Sequence, residues 1–260
     1  MNSPLAALPA RRFDAAGKPH VDLPAILRLA APLIATNAVQ ALLNLTDLWF
    51  IGRISTDALA AMSAIYWIVS CAILLFGGVG LAVQTFVAQA FGSRRKAHAS
   101  RALWNALWAS IAIIPAFLVL AWAGPALLRP FGLESHVEQL ALEYWTPRMG
   151  GAFLGLMGWA AMGFFNGISA VRYTMIVVVV TTITNAVMNQ LFIFELDMGM
   201  KGSAWGTNVA QLTGVIVAWT IFLNGRIARD YRSRLMWRPC WTVIRAQLVV
   251  GLPIGVMYGA

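Results

Sequence analysis

An all-α integral membrane protein is the fold class this chain predicts, and three observations carry that expectation. Hydrophobic residues make up 60% of the 260 and charged residues 11%, with a mean hydropathy of +0.72, which leaves too little polar surface to cover a water-soluble globule. The apolar residues fall in runs of about 20 or more, the length an α-helix needs to cross a hydrocarbon core of about 30 Å. Leu, Ala and Gly dominate those runs, and Pro32 and Pro115 lie inside them, a composition of membrane helices rather than of alternating barrel strands.

Taken in order, residues 1–27 form a polar tail. Arg11, Arg12, Asp14 and Lys18 interrupt it, and it lacks the apolar segment of about 7 to 15 residues that a cleavable signal needs, so the first span is expected to double as the insertion signal. A six-helix unit over 28–225 follows, with spans at 29–51, 59–86, 103–128, 140–165, 173–194 and 204–223. The fourth is the most polar at its start, where Glu143, Pro147 and Arg148 fall in the first turns. The connection 226–245 is the longest and most basic, and a seventh span opens in 246–260 and is cut off at Ala260. Its Gly251-Leu252-Pro253-Ile254 resembles Ala31-Pro32-Leu33-Ile34 near the start of the first span, as though a second, parallel repeat were beginning.

Positive charge sets the orientation. Arg11, Arg12, Lys18 and Arg28 in the tail, Arg94, Arg95, Lys96 and Arg101 in the second loop, Arg172 in the fourth, and Arg226, Arg229, Arg232, Arg234, Arg238 and Arg245 in the sixth all fall on one side. Arg53, Arg129, Arg148 and Lys201 are left for the other. Basic loops stay cytoplasmic, so the amino terminus is expected inside and Asp47 toward the outer half of its helix. The same side-specific pattern explains the net charge of +9 without nucleic acid. Cys71 lies in a span and Cys240 in a cytoplasmic loop, so no disulfide is expected. His20, His98 and His136 occupy three separate loops, a poor arrangement for zinc. Asn44-Leu45-Thr46 reads as a glycosylation sequon but lies within the membrane.

Inside the spans the polar residues form rows. Asn37, Gln40, Asn44 and Asp47 are spaced to fall on one face of the first helix, within an arc of about 80°. Thr181, Asn185 and Asn189 repeat every four residues in the fifth span, as do Ser203, Thr207 and Gln211 in the sixth, so three such helices facing one another would enclose a polar cavity. Neutral polar side chains in membranes commonly serve as interhelical glue averaging about 0.6 kcal/mol. A carboxylate at a helix centre costs roughly 2.5 to 3.5 kcal/mol to insert, so Asp47 is expected to be functional. Gly77, Gly78 and Gly80 sit mid-span with no preceding strand, which favours close helix packing over phosphate binding.

The stretch Asn44-Leu45-Thr46-Asp47-Leu48-Trp49-Phe50-Ile51-Gly52-Arg53, followed by Asp57-Ala58-Leu59-Ala60-Ala61, resembles the first-helix signature of the multidrug and toxic compound extrusion (MATE) family. Further matching pieces follow in order: Val87-Ala88-Gln89-Ala90-Phe91-Gly92, Gly163-Phe164-Phe165-Asn166-Gly167, Asn185-Ala186-Val187-Met188-Asn189 and Gly202-Ser203-Ala204-Trp205-Gly206-Thr207. The resemblance implies the amino-terminal lobe of a twelve-helix, two-lobe exporter in the cytoplasmic (inner) membrane. Such an exporter couples entry of H+ or Na+ to export of organic cations, drugs or other xenobiotics by alternating access, without a further cofactor. By position it implies a cation or proton site at Asp47, Asn44, Asn185, Asn189, Ser203 and Thr207, with Na+ as a candidate ligand of Asp47. Asn37, Gln40, Thr181, Gln211 and Asn166 are the corresponding candidates for the substrate cavity. Some relatives have Asp where this chain has Asn189, which leaves one carboxylate here and favours protons.

Other readings compete with export. A flippase of lipid-linked precursors would use a similar lobe but needs several cationic groups in its cavity to hold pyrophosphate, and the spans offer almost none. A membrane-embedded enzyme would need a nucleophile with a base, a metal cluster or paired acids, and no such set is apparent. The chain is also compatible with a truncated, non-transporting fragment, or with half of a unit completed by a second lobe or a second copy.

Overall fold

The computed structural model describes residues 11–13, 19–21 and 23–259. Most of the expected tail (1–10, 14–18 and 22) therefore lies outside the described residues, as does Ala260. A short antiparallel ribbon pairs β1 (Arg11–Phe13) with β2 (Pro19–Val21). The elements after it are all helices, joined by short turns and one longer connection. The first helix, α1, covers Leu23–Gly52. Ser55 then caps α2 (Thr56–Gly92), its hydroxyl oxygen accepting from the Ala58 N–H at 2.9 Å, with Asp57 in the first turn where the helix dipole favours an acid.

The expected third span is one element in the sequence and three in the structure. α3 (Lys96–Ala112) gives way at Ile113 to α4 (Ile114–Trp122), which gives way at Ala123 to α5 (Gly124–Leu128). Pro115 and Pro125 each sit in the first turn of the new segment. Proline has no N–H to continue the preceding ladder but is tolerated where a helix starts, so the run breaks and restarts at each one. α6 (Ser135–Gly167) and α7 (Val171–Asn189) follow, α7 widening into a π-helical stretch over Gln190–Glu195. A tight reversal with positive φ at Asp197 and Gly199 leads into α8 (Gly199–Leu223). Beyond it come α9 (Gly225–Asp230) and α10 (Trp241–Gly259).

Among the described residues, four helical stretches are long and apolar enough to cross a membrane: Thr56–Gly92, Lys96–Trp122, Val171–Glu195 and Gly199–Leu223. The chain is a multi-pass membrane protein. The first and fourth expected spans correspond to α1 and α6, of 30 and 33 residues, more than the about 20 that a crossing requires. α2 packs chiefly on α6 and α10, α8 on α7 and α6, and α1 on α7. Two buried apolar clusters occupy the two ends of this bundle. One joins Ile51, Ile65, Phe117, Trp145 and Met200; the other joins Val87, Leu103, Phe164, Phe165 and Phe222.

The mid-span glycines of α2 serve the packing. A side chain on Gly80 would meet the Leu156 carbonyl of α6, and one on Gly78 would meet the Gly251 and Gly255 backbone of α10, so both neighbours approach α2 at backbone distance.

The basic connection between α8 and α10 is docked on α3. The indole N–H groups of Trp104 and Trp108 donate to the carbonyls of Ser233 and Trp237, both at 2.7 Å, and Asn105 Oδ1 accepts from the Cys240 N–H at 2.7 Å. Arg234 folds back to the end of α8, donating to the Leu223 carbonyl at 2.8 Å and to Asn224 Oδ1 at 2.9 Å. Lys96, at the other basic loop, lies 3.7 Å from Asp230 and over the Tyr231 ring. The α2–α3 loop and the α8–α10 connection therefore share one face of the protein.

Candidate functional site

Three helices converge on Asp47. The spacing of four places Asn185 and Asn189 one above the other on α7, and Ser203 and Thr207 likewise on α8. Asn189 Nδ2 donates to Asp47 Oδ1 at 2.6 Å and to Asn185 Oδ1 at 3.3 Å, Asn185 Nδ2 donates to Thr207 Oγ1 at 3.4 Å, and that hydroxyl donates to the Ser203 carbonyl at 3.1 Å. The result is a hydrogen-bonded line from the carboxylate of α1 through two amides of α7 into α8. Asn185, Asn189 and Ser203 are fully buried. A side chain on Gly206 would collide with Asn189 Oδ1, which explains the absence of a Cβ there.

Two oxygens in this cluster lack a partner among the described residues: Asn189 Oδ1 and Ser203 Oγ are buried without a hydrogen bond there. Unsatisfied buried acceptors are uncommon and call for a reason. Together with the Asp47 carboxylate, Asn185 Oδ1 and Thr207 Oγ1 they form an all-oxygen set, the donor type that hard cations and protons prefer.

Beside the line lies a cavity of about 780 Å³ bounded by α1, α2, α6, α7 and α8, within the size range of small-molecule sites. Asp47, Asn44, Gln40, Asn185, Thr181, Thr207 and Gln211 all face it. Thr181 spends its hydroxyl on the Val177 carbonyl of its own helix, at 2.8 Å. Ser203 and Asn189 sit behind the wall, within the hydrogen-bonded line. Asn37 is exposed and away from the cavity. Asn166 is also away from it: its Oδ1 accepts from Thr174 Oγ1 at 2.7 Å, tying the end of α6 to the start of α7. Tyr66, Trp67 and Trp159 give the cavity an aromatic and largely apolar wall.

Sequence reasoning missed two members, Tyr144 and Arg148, which stand one turn apart on α6 and face the cavity. Arg148 was expected in the first turns of the fourth span, among the charges of the outer side. It is 8% exposed, and with α6 beginning at Ser135 it lies about 20 Å along the helix at about 1.5 Å per residue. Its neighbours Glu143 and Pro147 disguised that depth. The guanidinium Nη1 donates to Asn208 Oδ1 and Gln211 Oε1, each at 3.4 Å, while Asn208 is pinned by its own Nδ2 bond to the Pro147 carbonyl at 2.6 Å.

Fold and site together define a polytopic helical membrane protein with an ionisable line beside an amphipathic cavity. The MatE family profile matches residues 32–191, and the chain belongs to that family. It is 30% identical over 253 residues to the probable multidrug resistance protein NorM of Mesorhizobium japonicum, covering 90% of this chain and 51% of that protein. It is 31% identical over 247 residues to the probable multidrug resistance protein NorM of Pseudomonas aeruginosa, covering 92% and 50%. The chain thus spans about half the length of the curated relatives it matches. Among solved structures it resembles the outward-facing conformation of a multidrug resistance MATE family transporter of the MOP superfamily, with a TM-score of 0.75, 24% identity and coverage of 90% of this chain and 52% of that one. The inward-facing conformation of such a transporter gives a TM-score of 0.72 at 22% identity, covering 86% and 53%.

Proposed function

We propose that this chain forms the ion-coupled, ligand-binding lobe of a multidrug exporter in the cytoplasmic membrane, with its amino terminus in the cytoplasm. The observation that carries the proposal is the hydrogen-bonded line from Asp47 through Asn189 and Asn185 to Thr207, running along a large cavity with an aromatic wall. The names of the relatives support drug export as the activity, and the sharing of one face by the two most basic connections supports the orientation. No cofactor or catalytic step is needed: the lobe binds and releases, and it moves against a second lobe or a second copy.

In this mechanism an ionised Asp47 holds the cationic group of a ligand in the cavity. A proton arriving from the outer side neutralises the carboxylate, removes the attraction and lowers the cost of desolvating Asp47, so the lobe repacks and the ligand leaves outward. The neutral amides Asn185 and Asn189 leave a single carboxylate, which favours a proton over Na+ as the coupling ion. The test is efflux of a fluorescent organic cation from vesicles containing the protein, under an imposed pH or Na+ gradient, with Asp47→Asn in parallel. We expect efflux driven by the pH gradient and reduced to background in Asp47→Asn. Efflux that survives this substitution sinks the mechanism, and efflux driven by Na+ alone reverses the choice of ion.

A further inference from the structure

Resting on that reading, we propose that Arg148 is the anion-recognising end of the cavity and that the preferred ligands are zwitterionic amphiphiles, their amine at Asp47 and their carboxylate at Arg148. Among the described residues that line the cavity, Asp47 and Arg148 are the only charged groups. Among the described residues Arg148 forms no salt bridge, to Asp47 or to any other carboxylate. Its side-chain partners are neutral: Tyr144, and the amide oxygens of Asn208 and Gln211 at the long distance of 3.4 Å. A guanidinium more than nine-tenths buried carries a large desolvation cost that neutral acceptors at that range offset only in part. A helix–helix tie alone would be served as well by a neutral side chain.

The guanidinium is built for a carboxylate. It presents a planar fork of donors that matches two carboxylate oxygens, and charge-assisted bonds of this kind are roughly twice as strong as neutral ones. Asn208, fixed to the Pro147 carbonyl, and Gln211 hold one edge of that fork. The apolar and aromatic residues that line the rest of the cavity suit the body of an aromatic ligand. Protonation of Asp47 then changes the cavity from formally neutral to singly positive, so the amine is expelled while the carboxylate retains its partner. Arg148 becomes the last contact to be released.

The experiment uses two rhodamine dyes that differ only in a free carboxylate against its methyl ester. Binding to the detergent-solubilised protein is followed by fluorescence anisotropy for the unmodified chain, Arg148→Gln and Arg148→Lys. We expect the acid to bind about tenfold or more tighter than the ester. Arg148→Gln should abolish that preference and Arg148→Lys should retain part of it. Equal affinities in the unmodified protein, or a preference untouched by Arg148→Gln, overturn the assignment while leaving drug binding standing. Arg148→Gln weakening both dyes alike reduces Arg148 to a structural tie between α6 and α8. If neither dye binds the unmodified protein, the binding-lobe reading itself falls, and this assignment with it.

Discussion

Ser203 is where a functional oxygen can be told from a structural one by experiment. Its hydroxyl is fully buried with no partner among the described residues, so it contributes a penalty to the fold of about 1–3 kcal/mol rather than a bond. Ser203→Ala should therefore leave the thermal midpoint unchanged or raise it, while weakening the response of that midpoint to the coupling ion. Melting curves with and without an ion gradient partner, H+ against Na+, check both halves; a lower midpoint would assign the hydroxyl to stability instead. The rows containing Ser203, Asn185 and Asp47 were legible in the sequence because period-four spacing on a helix is visible without coordinates. The bonds among them were not, since which faces of α1, α7 and α8 meet is decided by packing. Arg148 was hidden for a different reason: it was read in the first turns of a span starting at residue 140, and only the earlier start of α6 at Ser135 shows how far inside it lies.

At the level of elements, the helix order and most boundaries could be read from apolar run length, while the breaks at Ile113 and Ala123 could not. Pro115 and Pro125 were visible, but a proline within a run is compatible with a kink or with a restart, and neighbouring contacts choose between them. The seam between α2 and α10 was also only half legible. Glycines in α2 announced a close neighbour without naming it, and α10 is that neighbour at Gly78, through Gly251 and Gly255. Gly78→Leu inserts four carbons where backbone atoms already touch. The expected outcome is a loss of at least about 1–3 kcal/mol, seen as a lower thermal midpoint. A disulfide engineered between α2 and α10 should also form more slowly in that variant.

For the molecule as a whole, the informative feature is the connection between α8 and α10, which the sequence presents as a basic linker and the structure presents as a strip held on α3. Replacing Trp104 and Trp108 together by Phe keeps most of the volume and removes both indole donors. We expect trypsin to cleave after Arg232 or Arg234 at least about threefold faster, because local opening controls access to a folded strip. An unchanged cleavage rate would mean that apolar packing holds the strip without the two bonds. The three contacts share a further property: α3 supplies side chains and the strip supplies only backbone, at the Ser233 and Trp237 carbonyls and the Cys240 N–H. Such a grip is indifferent to most side chains of the strip itself. Mutational drift should accordingly be lopsided, with substitutions accumulating freely at Trp237, Arg238 and Pro239 while Trp104, Asn105 and Trp108, and the side chains of Ser233 and Met236 that meet Ser100 and Arg101, are held fixed across descendants of this gene.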